Sequence, residues 1–267
     1  MSVPILTYHA VEMNGGEYKQ LPPNKVLYLI KRDLFEAQIR YLAEQNFRTA
    51  LVEDLISVAH TQGSLSERTV CLTFDDGSAS DYRIVFPVLR KYGLRANFFV
   101  VTDRVGKPGY VTWNQLNEMT ADGMSVQSHS HTHPFFSQCT ASEIRKELVQ
   151  SKSIIETHLG GSVKIFAVPG GDWNERCRSA VKDCGYQAVC TSRAGINRDP
   201  LDLLALKRLS IRRADSLAKF VSFVTLDARA LFANSLKTTL LNLARRSMGL
   251  DKYNLVRAFL LQGRKYK

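Results

Sequence analysis

The chain has 267 residues, of which 45% are hydrophobic and 23% charged, and a formal charge of +11. That balance fits one large α/β domain or two small ones and excludes a disordered or fibrous chain. The positive excess, many of whose residues lie beyond Lys207, implies attraction to anionic surfaces without choosing among membranes, nucleic acid and acidic glycans.

The five cysteines, Cys71, Cys139, Cys177, Cys184 and Cys190, are odd in number and form no CxxC pair. They argue against a disulfide framework or a cysteine-rich zinc site and are expected to be reduced and mostly buried. Met1-Ser2-Val3-Pro4 leads into apolar residues without a basic segment, and no apolar run reaches the roughly 18 residues of a spanning helix. A cytoplasmic location is therefore the expectation.

In chain order, a strand is predicted at 4–9, a polar loop at 12–25, and a helix from Asp33. Glu36, three residues on, gives a capping-box spacing, and Leu34, Ile39, Leu42 and Ala43 form the apolar stripe of that helix. A short strand at 47–51 and a helix at 52–60 follow. Val70-Cys71-Leu72-Thr73-Phe74-Asp75-Asp76-Gly77 is then a strand-forming apolar run that ends in two adjacent carboxylates and a glycine. Helices at 81–92, closed by a left-handed Gly93, and at 113–121, 142–159 and 174–184 alternate with strands at 96–101, 124–128, 163–168 and 186–191, with a last strand at 207–211. Such alternation implies a parallel sheet, closed or partly closed into a barrel. From about 217 to 259 the pattern is helical, with Leu231, Leu236, Leu240, Leu243 and Ala244 on one face and Lys237, Arg245 and Arg246 elsewhere. It reads as a helix packed on the barrel or as a basic helix at a membrane surface or partner. The expected division is a barrel at 1–213 and a helical basic extension at 214–267.

Two neighbouring carboxylates repel and are costly to desolvate together, so a shared pocket calls for a cation, a metal ion first of all. Three of the six histidines fall in Ser128-His129-Ser130-His131-Thr132-His133-Pro134, just after a predicted strand. In a βα barrel the C-terminal strand ends face one rim, where this cluster and Asp75-Asp76 can converge. Two imidazoles and one carboxylate with an open position form a hydrolytic metal site. Alternation along an extended backbone would put His129, His131 and His133 on one face, so spacing alone leaves the pair of ligands open.

Thr73-Phe74-Asp75-Asp76-Gly77 together with His129-Ser130-His131-Thr132-His133-Pro134 resembles the first two motifs of the polysaccharide deacetylase family, the NodB-homology or carbohydrate esterase family 4, over roughly residues 4–212. The resemblance implies a distorted (β/α)7 barrel and removal of acetyl from an N-acetylated sugar. It assigns Asp76, His129 and His133 to the metal, most simply Zn2+ with Co2+ or Ni2+ as alternatives, and Asp75 to the general base. Phe166-Ala167-Val168-Pro169-Gly170-Gly171 is similar to the third motif in the variant with alanine where chitin and peptidoglycan enzymes carry arginine. Gly170 stands at the usual tyrosine, where its backbone N–H can still serve an oxyanion, although an aromatic wall of the sugar groove is lost. The family's C-terminal histidine is missing, since none follows His158. Leu6-Thr7-Tyr8-His9 resembles the permuted arrangement of exopolysaccharide deacetylases, which makes His9 the expected general acid.

The substrate implied is an N-acetylated glycan or glycolipid precursor, met at the inner membrane face with peripheral contact through the basic C-terminal segment. Nucleic acid is not expected, because basic and aromatic residues do not interleave. A metal-containing glycan-binding pseudoenzyme and a hydrolase of another non-peptide C–N bond remain open as alternatives. Oligomeric state cannot be read from the chain.

Overall fold

The computed structural model describes residues 2–234 apart from 17, 18, 20, 62, 172 and 173. The predicted amphipathic helix beyond 234 therefore lies outside the described residues. Seven parallel strands carry the fold: β1 Ile5–Tyr8, β2 Thr69–Asp76, β3 Asn97–Val100, β4 Ser125–Ser128, β5 Ile165–Ala167, β6 Ala188–Cys190 and β7 Leu209–Ser210. Their spatial order is β6-β5-β4-β3-β2-β1-β7. The ring is closed by one stretch of chain that serves two edges. Leu206 bridges to Cys190 of β6, and three residues later Leu209 pairs with Leu6 of β1. The result is the expected distorted (β/α)7 barrel, with a thin seam beside its last strand.

Helices α1 Arg32–Glu44, α2 Val52–Thr61, α3 Phe86–Lys91, α4 Trp113–Ala121, α5 Ala141–Leu159, α6 Glu175–Asp183 and α7 Leu217–Val224 follow or connect the strands. A short strand, Arg48–Thr49, pairs with the start of β2. Strand alternation divides each barrel residue's work. Leu6, Tyr8, Leu72, Phe74, Phe98, Val100 and Phe166 join the layer between strands and helices, whereas Ile5, Cys71, Phe99, Ala167 and Cys190 pack with one another inside. Phe74 stacks on Tyr8 at 5.0 Å and on Phe98 at 5.1 Å between ring centroids, and truncating such a ring costs about 3–5 kcal/mol. The inward set, Thr73 and Asp75 among it, is what brings β2 to the rim with a carboxylate facing the barrel axis.

Helix starts are set by caps. Thr112 with Gln115 and Thr140 with Glu143 form capping boxes, and Asn174 and Ser216 accept the backbone N–H of Cys177 and Lys219; each such cap is worth about 1 kcal/mol. The capping box expected at Asp33 does not form. The helix begins earlier, at Arg32 after an uncapped Lys31, and Glu36 turns to pair with Arg32 at 2.8 Å. The segment expected as one helix at 81–92 opens with a π-turn, Asp81–Val85, and ends before Gly93, which is left-handed at φ 64° as expected. Beyond the barrel strands, Phe220 and Phe223 of α7 are buried, and Phe220 meets Tyr41 of α1 edge to face. No described helix is long and apolar enough to cross a membrane.

Candidate active site

The site is built where β1, β2, β4 and β5 end, with one side chain reaching it from just before β7. Asp75 and Asp76 are the last two residues of β2, and Asp76 already turns into the left-handed region at φ 79°. Gly77 follows at φ 71°, where a Cβ would meet Val100 Cγ1 at 3.2 Å. The two acids are thereby sent different ways: Asp75 is buried at 3% exposure, and Asp76 is half-buried at the mouth.

His129 follows β4 directly and is 2% exposed. Its Nδ1 lies 2.8 Å from the carbonyl oxygen of Ala167 at the end of β5. A ring nitrogen facing a carbonyl must carry the proton, so Nε2 is left with its lone pair directed at Asp76, 3.9 Å away. His133 Nε2 lies 3.5 Å from the same Asp76 oxygen. One ligand atom each from Asp76, His129 and His133 falls within 4.8 Å of the other two, a spacing one divalent cation can span. These donors therefore fit a metal ion.

Left-handed residues at Ser130, φ 68°, and His133, φ 66°, shape the loop. Such non-glycine conformations cost about 1–3 kcal/mol each and persist only when the surroundings hold them. Here Ser130 Oγ accepts the His133 N–H at 3.0 Å. The Glu147 carboxylate, from α5, accepts the N–H of His131 and of Thr132 at 2.8 Å each and the Thr132 hydroxyl at 2.7 Å. The turn at Ser130 also breaks the alternation that would have aligned all three histidines. His131 points elsewhere, with Nδ1 2.8 Å from Thr102 Oγ1 and Nε2 3.1 Å from Gln150 Nε2. It is absent from the clustered set, which leaves the pair His129 and His133.

Asp75 faces a partner that sequence reasoning missed. Arg208, between Leu206 and β7, is 2% exposed and donates both Nη atoms to the two Asp75 oxygens at 2.8 Å each. Its remaining donors reach the Thr191 carbonyl at 3.0 Å and Thr73 Oγ1 at 3.2 Å. Burial pushes the Asp75 carboxyl up, but the charge of Arg208, then that of His129, and the Arg208 hydrogen bonds outweigh it and hold the carboxyl at about 2. Arg104 is a second missed cation, with Nη1 3.0 Å from Asp76 Oδ1. Burial raises Asp76 too, and the positive charges that His129, His9 and His133 take on in acid, with that of Arg104, bring it below the ordinary carboxylate value. His133 is lowered to about 4, first by burial and then by His129, and is neutral at neutral pH.

His9 follows β1, whose neighbours are β2 and β7. Its ring stacks on Tyr28 at 4.4 Å, and its buried Nδ1 has no protein partner. Burial lowers its pKa, partly offset by the charges of Asp75 and Asp76, so it belongs to the same electrostatic site. Gly170 lies in the turn after β5 at φ 59°. A Cβ there would meet Phe135 Cε1 at 2.7 Å, so the position accepts no side chain without displacing that ring.

Residues 62–189 match the family described as polysaccharide deacetylase. A Bacillus subtilis protein, YxkH, that bears the name of a polysaccharide deacetylase is 27% identical over 222 residues, covering 83% of this chain and 76% of that one. The poly-β-1,6-N-acetyl-D-glucosamine N-deacetylase of Staphylococcus aureus is 24% identical over 175 residues, so the match spans 60% of this chain and 60% of that enzyme's length. Among solved structures, the Streptococcus pyogenes deacetylase PplD, in complex with acetate, superposes with a TM-score of 0.77 at 26% identity over 84% of this chain and 98% of that one. IcaB from Ammonifex degensii gives 0.72 at 26% identity over 84% and 97%.

Proposed function

Starting from a chain that belongs to the polysaccharide deacetylase family, we propose that it hydrolyses the acetamide of an N-acetylated hexosamine in a glycan, releasing acetate. The observation that carries this reading is the division of the acid pair. Asp76 joins His129 and His133 within 4.8 Å, while Asp75, one residue away, stays out of that set and is held ionised by Arg208. A ligand set and a separate base at one rim is what amide hydrolysis requires.

A divalent cation at Asp76, His129 and His133, proposed to be Zn2+ from the mixed imidazole and carboxylate donors, would polarise the acyl oxygen and acidify water. Asp75 would take the proton from the attacking water. Its bidentate contact with Arg208 fixes which lone pairs are offered. Its low pKa makes it a weak base that releases the proton readily. His9 is neutral at rest, since its pKa is lowered, and its imidazole is the proposed relay that receives a proton and passes it to the leaving nitrogen. The Gly170 N–H is the proposed donor to the oxyanion, a role that needs no side chain.

Poly-β-1,6-linked N-acetylglucosamine is the substrate class to try first, because the Staphylococcus aureus relative is named for it. Acetate release from such oligomers by zinc-loaded protein, set beside a panel of cyclic imides, is the test. Turnover of the sugars and not the imides is expected. Turnover of imides alone would move the assignment to another C–N bond, and stoichiometric metal without turnover of either would make the chain a binding protein.

A further inference from the structure

We propose that the Phe135 ring is the platform on which the reacting sugar rests, a substrate-positioning residue supplied by the histidine loop; the proposal rests on the glycan deacetylase reading. Phe135 stands two residues after the ligand His133. It is one of three large apolar side chains exposed among the described residues, at 38%. Its neighbour Phe136 is fully buried and stacks on Phe166 of β5 at 5.5 Å. That anchor fixes the backbone and directs the adjacent side chain away from the core.

The ring is not a loose surface group. Its Cε1 lies 2.7 Å, and its Cδ1 3.2 Å, from where a Cβ on Gly170 would sit. The phenyl edge therefore occupies side-chain space that Gly170 leaves empty, over the Pro169–Gly171 turn. Gly170 in that turn stands three residues past Ala167, the residue whose carbonyl orients His129. Phe135 thus bridges the loop of one metal ligand and the strand end that orients the other, with part of its surface left to solvent. An exposed phenyl gains from burial, so a ligand laid on the part of the Phe135 ring that faces solvent would be stabilised there.

The chemistry of the ring selects the occupant. A phenyl face offers a weakly negative, apolar surface with no hydrogen-bond donor, suited to the C–H face of a pyranose and not to a phosphate or carboxylate. A hexosamine laid there keeps its hydroxyls and acetamide at the edge, where the polar rim residues lie. Stacking of this kind acts on binding of substrate and transition state alike, so it belongs in KM.

The experiment uses the full-length zinc-loaded protein and N-acetylglucosamine oligomers, with Phe135→Ala, Phe135→Leu and Phe135→Tyr. Phe135→Ala is expected to raise KM about tenfold with kcat within about twofold, with one metal bound per chain as in wild type. Phe135→Tyr, which keeps the aromatic face, is expected to restore KM, and Phe135→Leu, which keeps only bulk, is not. Equal rescue by leucine, loss of bound metal, or a fall in kcat at unchanged KM would overturn the proposal and leave Phe135 a prop for the loop. Wild type that is active with Phe135→Ala unchanged would overturn stacking alone. Wild type that releases no acetate from any acetylated sugar would overturn the deacetylase reading with it.

Discussion

The two ends of the barrel each hold a carboxylate among polar side chains, and they treat it in opposite ways. At the N-terminal end Glu53, in the first turn of α2, accepts hydrogen bonds from Ser125, from Gln127 at 2.9 Å and from Asn97 at 2.8 Å. Gln127 and Asn97 in turn accept backbone N–H groups of Lys164, Ile165 and Val52. That plug is a closed circuit of neutral donors around one acid. At the C-terminal end Asp75 is held by a buried guanidinium, Asp76 faces His129, His133 and Arg104, and His9 keeps an unpartnered nitrogen. Satisfied polarity stabilises a fold, and polarity left open at a strained rim is where a ligand and a reaction can be taken up.

Substitutions should separate the two ends. His129→Ala is expected to give the largest loss, abolishing metal uptake and bringing acetate release to background while leaving the fold intact, as read by metal analysis and circular dichroism. Arg208→Met removes one partner of a fully buried pair, and an unpaired buried charge costs about 3–5 kcal/mol; chemical denaturation should show that loss together with lost turnover. Glu53→Gln introduces an amide among donors at the opposite end. It should cost about 1–3 kcal/mol with kcat/KM within about twofold of wild type, and a larger effect on activity than on stability would break the comparison.

An effect confined to acid pH is expected on stability. Asp75 falls from an ordinary 3.8 to about 2 in the folded chain, so its contribution is complete above pH ~4 and lost as the pH falls through ~2. The difference amounts to about 2 kcal/mol. Wild type with chelator present should lose this increment in that window, and Asp75→Asn should not.

The rim was legible in the sequence to the extent that its chemistry is local. Asp75-Asp76 ends an apolar strand, and histidines at 129 and 133 follow another, so strand register alone brings them to one end. Where a single backbone angle decided the matter, the sequence was ambiguous: a left-handed Ser130 removes His131 from the row. Arg208 was hidden for a different reason. In Leu206-Lys207-Arg208-Leu209 it reads as one more residue of a basic C-terminal stretch, and only the pairing of Leu209 with Leu6 places it beside β1 and β2, facing inward at Asp75. The alanine at 167 leaves no guanidinium on β5, and the one that serves Asp75 arrives from the far side of the ring. The partner of the acid pair was thus a long-range contact, which no local motif reports.

The proposed division of metal holding by Asp76 from proton transfer by Asp75 is tested most directly by Asp75→Asn. Metal stoichiometry and acetate release should be measured together on one preparation. The expected result is one bound metal per chain, as in wild type, with turnover reduced by about a thousandfold. Metal lost along with activity, or turnover equal to wild type, would contradict the division of labour.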